Sequence, residues 1–169
     1  MQKIKSFWKI IKIIIKIGPQ KVLGKIENFS VDPLTGLSNR RALEEKREGM
    51  LSLAFIDFDD FKKINDTMGY KTGDRALTEF ANILKIGSRK DDVFIRWGGD
   101  EFIIILPDTG EKEAKIIIER VRKESKELSP PLEFSVGIVE NKGERNLSVL
   151  IKEAGERMQT DKKKRKVKR

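Results

Sequence analysis

The residues of this chain best suited to chemistry are two sets of carboxylates. The first closes an apolar run, Leu51-Ser52-Leu53-Ala54-Phe55-Ile56-Asp57-Phe58, and continues into Asp59-Asp60. In a strand the side chains alternate, so Leu53, Phe55 and Asp57 share one face while Ala54, Ile56 and Phe58 share the other. A carboxylate at the end of such a run is costly to bury unless something binds it. Capping of the next helix accounts for Asp59 or Asp60, not for Asp57. The second set lies in Arg96-Trp97-Gly98-Gly99-Asp100-Glu101-Phe102. Its two glycines permit a tight turn and close approach of a bulky ligand. Adjacent acids in a strand point to opposite faces, so one can meet Asp57 while the other binds elsewhere. An ordinary acidic hairpin is the plain alternative, and the combination with Asp57 tells against it.

Composition narrows the chemistry. The 169 residues include no cysteine and no histidine, which excludes disulfides, thiolate nucleophiles, imidazole bases and histidine-ligated metals. Two oxygen-only loci suit a hard divalent cation such as Mg²⁺. With a phosphate substrate they would make a phosphoryl- or nucleotidyl-transfer site.

The elements that must position these groups follow from periodicity. Ser38 or Asn39 can cap a helix running to about residue 48. Residues 51–58 have strand length, and residues 60–67 read as a short helix. Gly73-Asp74 opens a second helix with Leu77, Phe80, Ala81 and Leu84 at helical spacing. Val93 to Trp97 and Phe102 to Leu106 are strands joined at Gly98-Gly99. Residues 111–128 form an amphipathic helix, broken by Ser129-Pro130-Pro131. Leu132 to Val139 is a strand, and residues 146–160 form a last helix that dissolves into a basic run. This order predicts an α/β (α+β) sandwich, with one antiparallel-containing, palm-type or ferredoxin-like sheet flanked by helices.

Five strings in order resemble the GGDEF domain of diguanylate cyclases. Asp32-Pro33-Leu34-Thr35-Gly36-Leu37-Ser38-Asn39-Arg40-Arg41 is similar to the family's DxLTGLxNRR, and Asp57 to Asp66 to its DxDxFKxxND. Gly69-Tyr70 and Gly73-Asp74 resemble GHxxGD with Tyr for the usual His. Arg96 to Phe102 matches the signature, and Ser135-Val136-Gly137-Ile138 the SxG strand. The resemblance covers about residues 30–160 and implies a nucleotidyl cyclase-like fold.

It also implies a reaction: two GTP molecules joined into cyclic di-GMP with release of two pyrophosphates, at the interface of a homodimer of such domains. By position, Asp57, the Phe58 carbonyl, Asp100 and Glu101 would hold Mg²⁺ (or Mn²⁺). Asp100, or hydroxide near it, would be the base. Asn65 and Asp74 would read guanine, Phe61 and Leu34 would wall it, and Lys62 would reach the phosphates as Gly98 and Gly99 pass close to the nucleotide. Read without the resemblance, Asn65 is a turn residue and Asp74 a helix cap. Lys162 and Lys166 fall on the family's C-terminal phosphate lysine and arginine, although the helix motif around them is eroded. Arg89 and Asp92 fit the RxxD motif at which product inhibits. The plain alternative there is a solvated ion pair in a turn.

The formal charge of +9 belongs to the ends. Residues 1–30 and 161–169 each carry +6, and the remainder −3. The expected organisation is a basic amphipathic segment over 1–29, the domain over 30–161 and a basic tail over 162–169. In residues 1–17, Lys5, Lys9, Lys12 and Lys16 line one helical face. Such a basic amphipathic helix suits a membrane surface, or it is a linker helix whose apolar face packs on a partner helix or on the domain. The protein is expected in the cytoplasm, including peripherally on the inner membrane face. No specific nucleic-acid partner is expected, because the positive charge lies outside the domain. The alternative functions are a catalytically silent domain that binds GTP or cyclic di-GMP, and a basic adaptor acting through the tails alone.

Overall fold

In the computed structural model the described residues are 30–44, 49–143 and 145–167. The expectations for residues 1–29, and for the end of the helix predicted to reach residue 48, lie outside them.

Strands β1 (Ser38–Asn39), β2 (Met50–Phe58), β3 (Val93–Arg96), β4 (Glu101–Pro107) and β5 (Phe134–Lys142) form one sheet in the order β1-β3-β4-β2-β5. β1 runs parallel to β3 and every other pair is antiparallel. The helices are α1 (Phe61–Met68), α2 (Tyr70–Lys85), α3 (Glu111–Lys126) and α4 (Leu147–Val167), with a 3₁₀ turn over Arg40–Glu44. The architecture is the expected α+β one, a five-stranded mixed sheet flanked by helices.

The alternation along β2 sorts the core into two layers. Ala54, Ile56 and Phe58 face α1, α2 and α3, with Phe102, Ile104 and Phe134 beside them and Leu77, Phe80 and Ile118 above. Phe58 is the centre of this layer, its ring 4.7 Å from Phe80 and 5.7 Å from both Phe61 and Phe102. Truncating such a residue costs about 3–5 kcal/mol. On the other face Leu51, Leu53, Phe55, Ile103 and Ile105 pack under Leu150, Ala154 and Met158 of α4. That helix lies tight on β5 because residue 137 is glycine. A Cβ there would sit 1.9 Å from the Ala154 carbonyl oxygen and 2.5 Å from the Met158 amide.

Three elements depart from the periodicity. α2 begins at Tyr70 rather than Gly73, following α1 after the single residue Gly69, whose φ is +83°. Tyr70 and Lys71 are exposed, so they add nothing to the apolar pattern. Asn39 does cap, its Oδ1 accepting from the Arg41 amide at 2.8 Å, but the turn it opens is a 3₁₀ turn and Asn39 itself pairs with Arg96 in the sheet. The last helix runs on to Val167 through the basic run where a solvated tail was expected. Lys and Arg are good helix formers, and two of them find acids at the end of β2 and just beyond it, described below. No helix among the described residues is long and apolar enough to cross a membrane.

Candidate active site

Strand register brings the two acidic sets together. Asp57, near the end of β2, is paired across the sheet with Glu101 at the start of β4 and with Ser135 on its other side. The Phe58 amide donates to the Asp100 carbonyl at 3.3 Å, which joins the end of β2 to the signature turn. Within that turn the amides of Trp97 and Gly98 both donate to the Glu101 carbonyl. The Glu101 carboxylate lies against Gly98, where a Cβ would stand 2.4 Å from its Oε2. A Cβ on Gly99 would meet nothing within 4 Å. So Gly98 admits a side chain of the protein, while Gly99 leaves its space open.

Electrostatics mark this corner as strained for anions. Burial, then the neighbouring Asp57, raises the proton affinity of Asp100 from its ordinary value. Burial, Asp57 and Asp100 do the same for Glu101. Lys162 of α4 lowers the strain by donating a hydrogen bond to Asp57 Oδ1 in an ion pair shielded from water. Among the described residues no three acids are closed into a metal cage. The donor set nevertheless fits a hard divalent cation: its oxygens are crowded, partly desolvated and mutually repelling, and positive charge relieves them.

Beside the acids is a cleft of about 300 Å³. Phe61, Lys62, Asn65, Asp74, Gly99 and Asp100 line it, as do Arg96 and Tyr70. Asn65 is aimed by α2: a Cβ on Gly73 would fall 2.0 Å from its Oδ1. Gly73 is therefore a packing requirement of Asn65, a role separate from the helix start read from sequence. Leu34 packs against the Phe58 layer and is not among the residues lining the cleft. Lys166 is exposed one position beyond Arg165, and it is Arg165 that turns inward.

Several residues of the site carried no catalytic or binding role in the sequence reading. Arg96 donates through Nε and Nη2 to the Gly99 carbonyl at 3.2 and 2.8 Å, and through Nη1 to both oxygens of Asp32 at 3.1 and 3.2 Å. It ties the first motif to the signature turn. Both residues sit inside the matched strings, which was the available signal. Arg165 lies 3.6 Å from Asp59 Oδ2, and Ser135 Oγ donates to Asp59 Oδ1 at 2.7 Å. Asp59 is thus held from two sides. Asp60 caps α1 in the left-handed conformation, with φ of 57° and no side-chain capping bond. For a non-glycine residue this is a strained turn, of the kind that gathers at functional sites.

Arg89 and Asp92 lie together at a separate pocket of about 230 Å³ between α2, α3 and the sheet. The Arg89 amide donates to Asp92 Oδ2 at 2.7 Å, and its guanidinium pairs with Glu113 at 2.7 Å.

Comparison with known proteins agrees with this geometry. The sequence profile described as "Diguanylate cyclase, GGDEF domain" matches residues 29–168. The chain is 40% identical over 148 residues, 80% of its length, to the probable diguanylate cyclase DgcJ of Escherichia coli K12, of which that covers 30%. It is 43% identical over 107 residues, 57% of its length, to the response regulator PleD of Caulobacter vibrioides NA1000, of which that covers 24%. The chain therefore spans under a third of the length of either relative. Among solved structures, the diguanylate cyclase SiaD of Pseudomonas aeruginosa, in complex with its activator SiaC, superposes with a TM-score of 0.73 at 29% identity. That match covers 96% of this chain and 70% of the other. The coiled coil and GGDEF domain of DgcB from Caulobacter crescentus, in complex with c-di-GMP, shares the fold with a TM-score of 0.77 at 22% identity, over 95% and 94% of the two chains. With its acids at the ends of adjoining strands and the family's profile spanning nearly its whole length, this chain belongs to the GGDEF diguanylate cyclase domain family.

Proposed function

We propose that the chain is an active diguanylate cyclase domain, converting two GTP into cyclic di-GMP and two pyrophosphates. The observation that carries this reading is the convergence of Asp57, Asp100 and Glu101 beside a cleft lined by Asn65 and Asp74.

In this reading guanine enters the cleft against Phe61, with Leu34 behind it. The Asp74 carboxylate accepts from N1–H and the exocyclic amine, and the Asn65 amide completes the edge. Adenine would leave these groups unpaired, which is how such a pocket rejects it. Lys62 and Lys162 meet the triphosphate, Lys166 adds charge from the exposed end of α4, and the open space at Gly99 lets the phosphates approach the backbone. Asp57, the Phe58 carbonyl, Asp100 and Glu101 would hold Mg²⁺ or Mn²⁺, which when bound would supply positive charge against the triphosphate and acidify the attacking hydroxyl.

The 3′-oxygen of one GTP attacks the α-phosphorus of the other. The new O–P bond forms as the bond to pyrophosphate breaks, the hydroxyl proton passes to Asp100 or to hydroxide near it, and the reciprocal attack by the other 3′-oxygen closes the ring and releases the second pyrophosphate. Each domain holds one GTP, so two copies must face each other in a closed two-fold homodimer. Arg89 and Asp92 form the product-inhibition site. Residues 1–17 supply either a contact that pairs two chains or a membrane-surface contact.

The test is incubation of the full chain with GTP and Mg²⁺, with mass detection of the cyclic dinucleotide, for the wild type and Asp100→Ala. Product from the wild type alone supports the reading. A second reading, a silent domain that binds nucleotide, is favoured by the exposure of Lys166 and the eroded motif of α4. It predicts no product at high protein concentration, with nucleotide binding retained.

A further inference from the structure

The apolar stripe of α4, Leu150, Ala154 and Met158, advances in steps of four and reaches Lys162 at the next step. On the sheet below, the stripe Leu53, Phe55 likewise reaches Asp57. The two stripes end against each other, and the ammonium is seated on the carboxylate with side-chain exposures of only 22% and 11%. One protein cation therefore already occupies a carboxylate that, in the reading above, must serve a divalent ion.

We propose that Lys162 is an exchangeable counter-ion: it holds Asp57 in the nucleotide-free protein, yields Asp57 to a divalent cation, and on leaving becomes the cation presented to the triphosphate. The proposal rests on the metal and GTP reading of the site and adds a coupling between the two ligands.

Movement is confined to the side chain. α4 itself is fixed, because Gly137 brings Ala154 and Met158 into backbone contact with β5. Asp161 accepts from the Val136 amide at 3.1 Å, and Arg165 holds Asp59 one turn further on. The Lys162 stem is flexible enough to swing a compact point charge without moving the helix. Two cations on one carboxylate repel, so the lysine and a divalent ion compete for Asp57. A phosphate that captures the lysine removes the competitor and tightens metal binding. By linkage, the metal must tighten nucleotide binding by the same factor.

The experiment is calorimetric titration of the full chain with Mn²⁺, alone and with a GTP analogue bearing methylene in place of the α,β-bridging oxygen. Wild type, Lys162→Gln, Lys162→Met and the control Lys163→Gln, an exposed neighbour of equal charge, are compared after circular dichroism shows each folded. The expected result is Mn²⁺ binding about tenfold tighter in nucleotide-free Lys162→Gln and Lys162→Met than in wild type. Lys163→Gln should be unchanged, and the gain on adding the analogue should be smaller by the same factor in the Lys162 variants. Mn²⁺ binding in those variants that is no tighter than wild type, undetectable binding included, overturns the proposal, as does an equal gain in Lys163→Gln. If the wild type makes no cyclic di-GMP and the Mn²⁺ difference is still seen, the exchange stands and the cyclase reading fails. If product forms and the Mn²⁺ affinities are equal, the reverse holds.

Discussion

Arg96 reaches Asp32 with one nitrogen and the Gly99 carbonyl with two others, so a single guanidinium spans the first motif and the signature turn. Asp32 in turn accepts from the amide and the hydroxyl of Thr35. The open turn at Gly99 has no side chain of its own to hold it, and this fork supplies the restraint.

This relationship sets a pH dependence. Burial works against the Asp32 carboxylate, but the Thr35 bonds and Arg96 outweigh it and hold its pKa below the ordinary 3.8. A carboxyl depressed on folding contributes stability above its unfolded pKa and loses it as pH falls through the folded value. Asp32→Asn is therefore expected to cost about 2 kcal/mol near neutrality, with the gap to wild type closing below about pH 4. Urea unfolding between pH 7 and pH 3 measures it. A gap of constant size would remove Asp32 as the source.

Asp100 has the opposite sign. Burial and Asp57 raise its pKa, so its charged form costs the folded, metal-free protein stability as pH rises above the unfolded value. Asp100→Asn should raise the thermal midpoint at pH 7 while lowering cyclic di-GMP formation by about 10²-fold or more. A midpoint below that of wild type would contradict the electrostatic account, whatever happens to turnover.

Gly137 tests the packing of α4. Gly137→Ala must push the helix off β5, because the new methyl would overlap the Ala154 carbonyl. Overpacking of this kind costs about 1–3 kcal/mol, and the displaced Lys162 should lower GTP affinity as well. Denaturant midpoints and equilibrium nucleotide binding report the two effects. A variant as stable as wild type would show that the helix has room to shift.

At the RxxD pocket, Glu113 holds the guanidinium that product would need. An exposed pair of this sort is worth about 0.2–1 kcal/mol. Glu113→Gln should therefore sharpen inhibition by cyclic di-GMP up to about fivefold, whereas Arg89→Ala should relieve it. Initial rates at rising product concentration separate the two. Equal inhibition in all three proteins would remove the regulatory role of the pocket.

Much of this was legible in the chain. The alternation of Leu53, Phe55 and Asp57 against Ala54, Ile56 and Phe58 foretold both core layers, and the hairpin at Gly98-Gly99 formed where its glycines stand. Periodicity failed where burial did not follow it. Tyr70 and Lys71 are helical but exposed, and the basic run to Val167 is helical for reasons found on the sheet rather than in its own pattern. Lys166 had the matching sequence position, yet Arg165 is the residue turned toward Asp59.

Residue types and their spacing determined by themselves which chemistry was available, oxygen donors and cations without imidazole or thiol, and which face of each element would be buried. Tertiary structure alone decided the partners. Lys162 meets Asp57 across 105 residues of chain and Arg96 meets Asp32 across 64. A period of two or 3.6 says which side of an element points inward, but not what waits there. That is set by strand register and by how closely α4 can lie on β5.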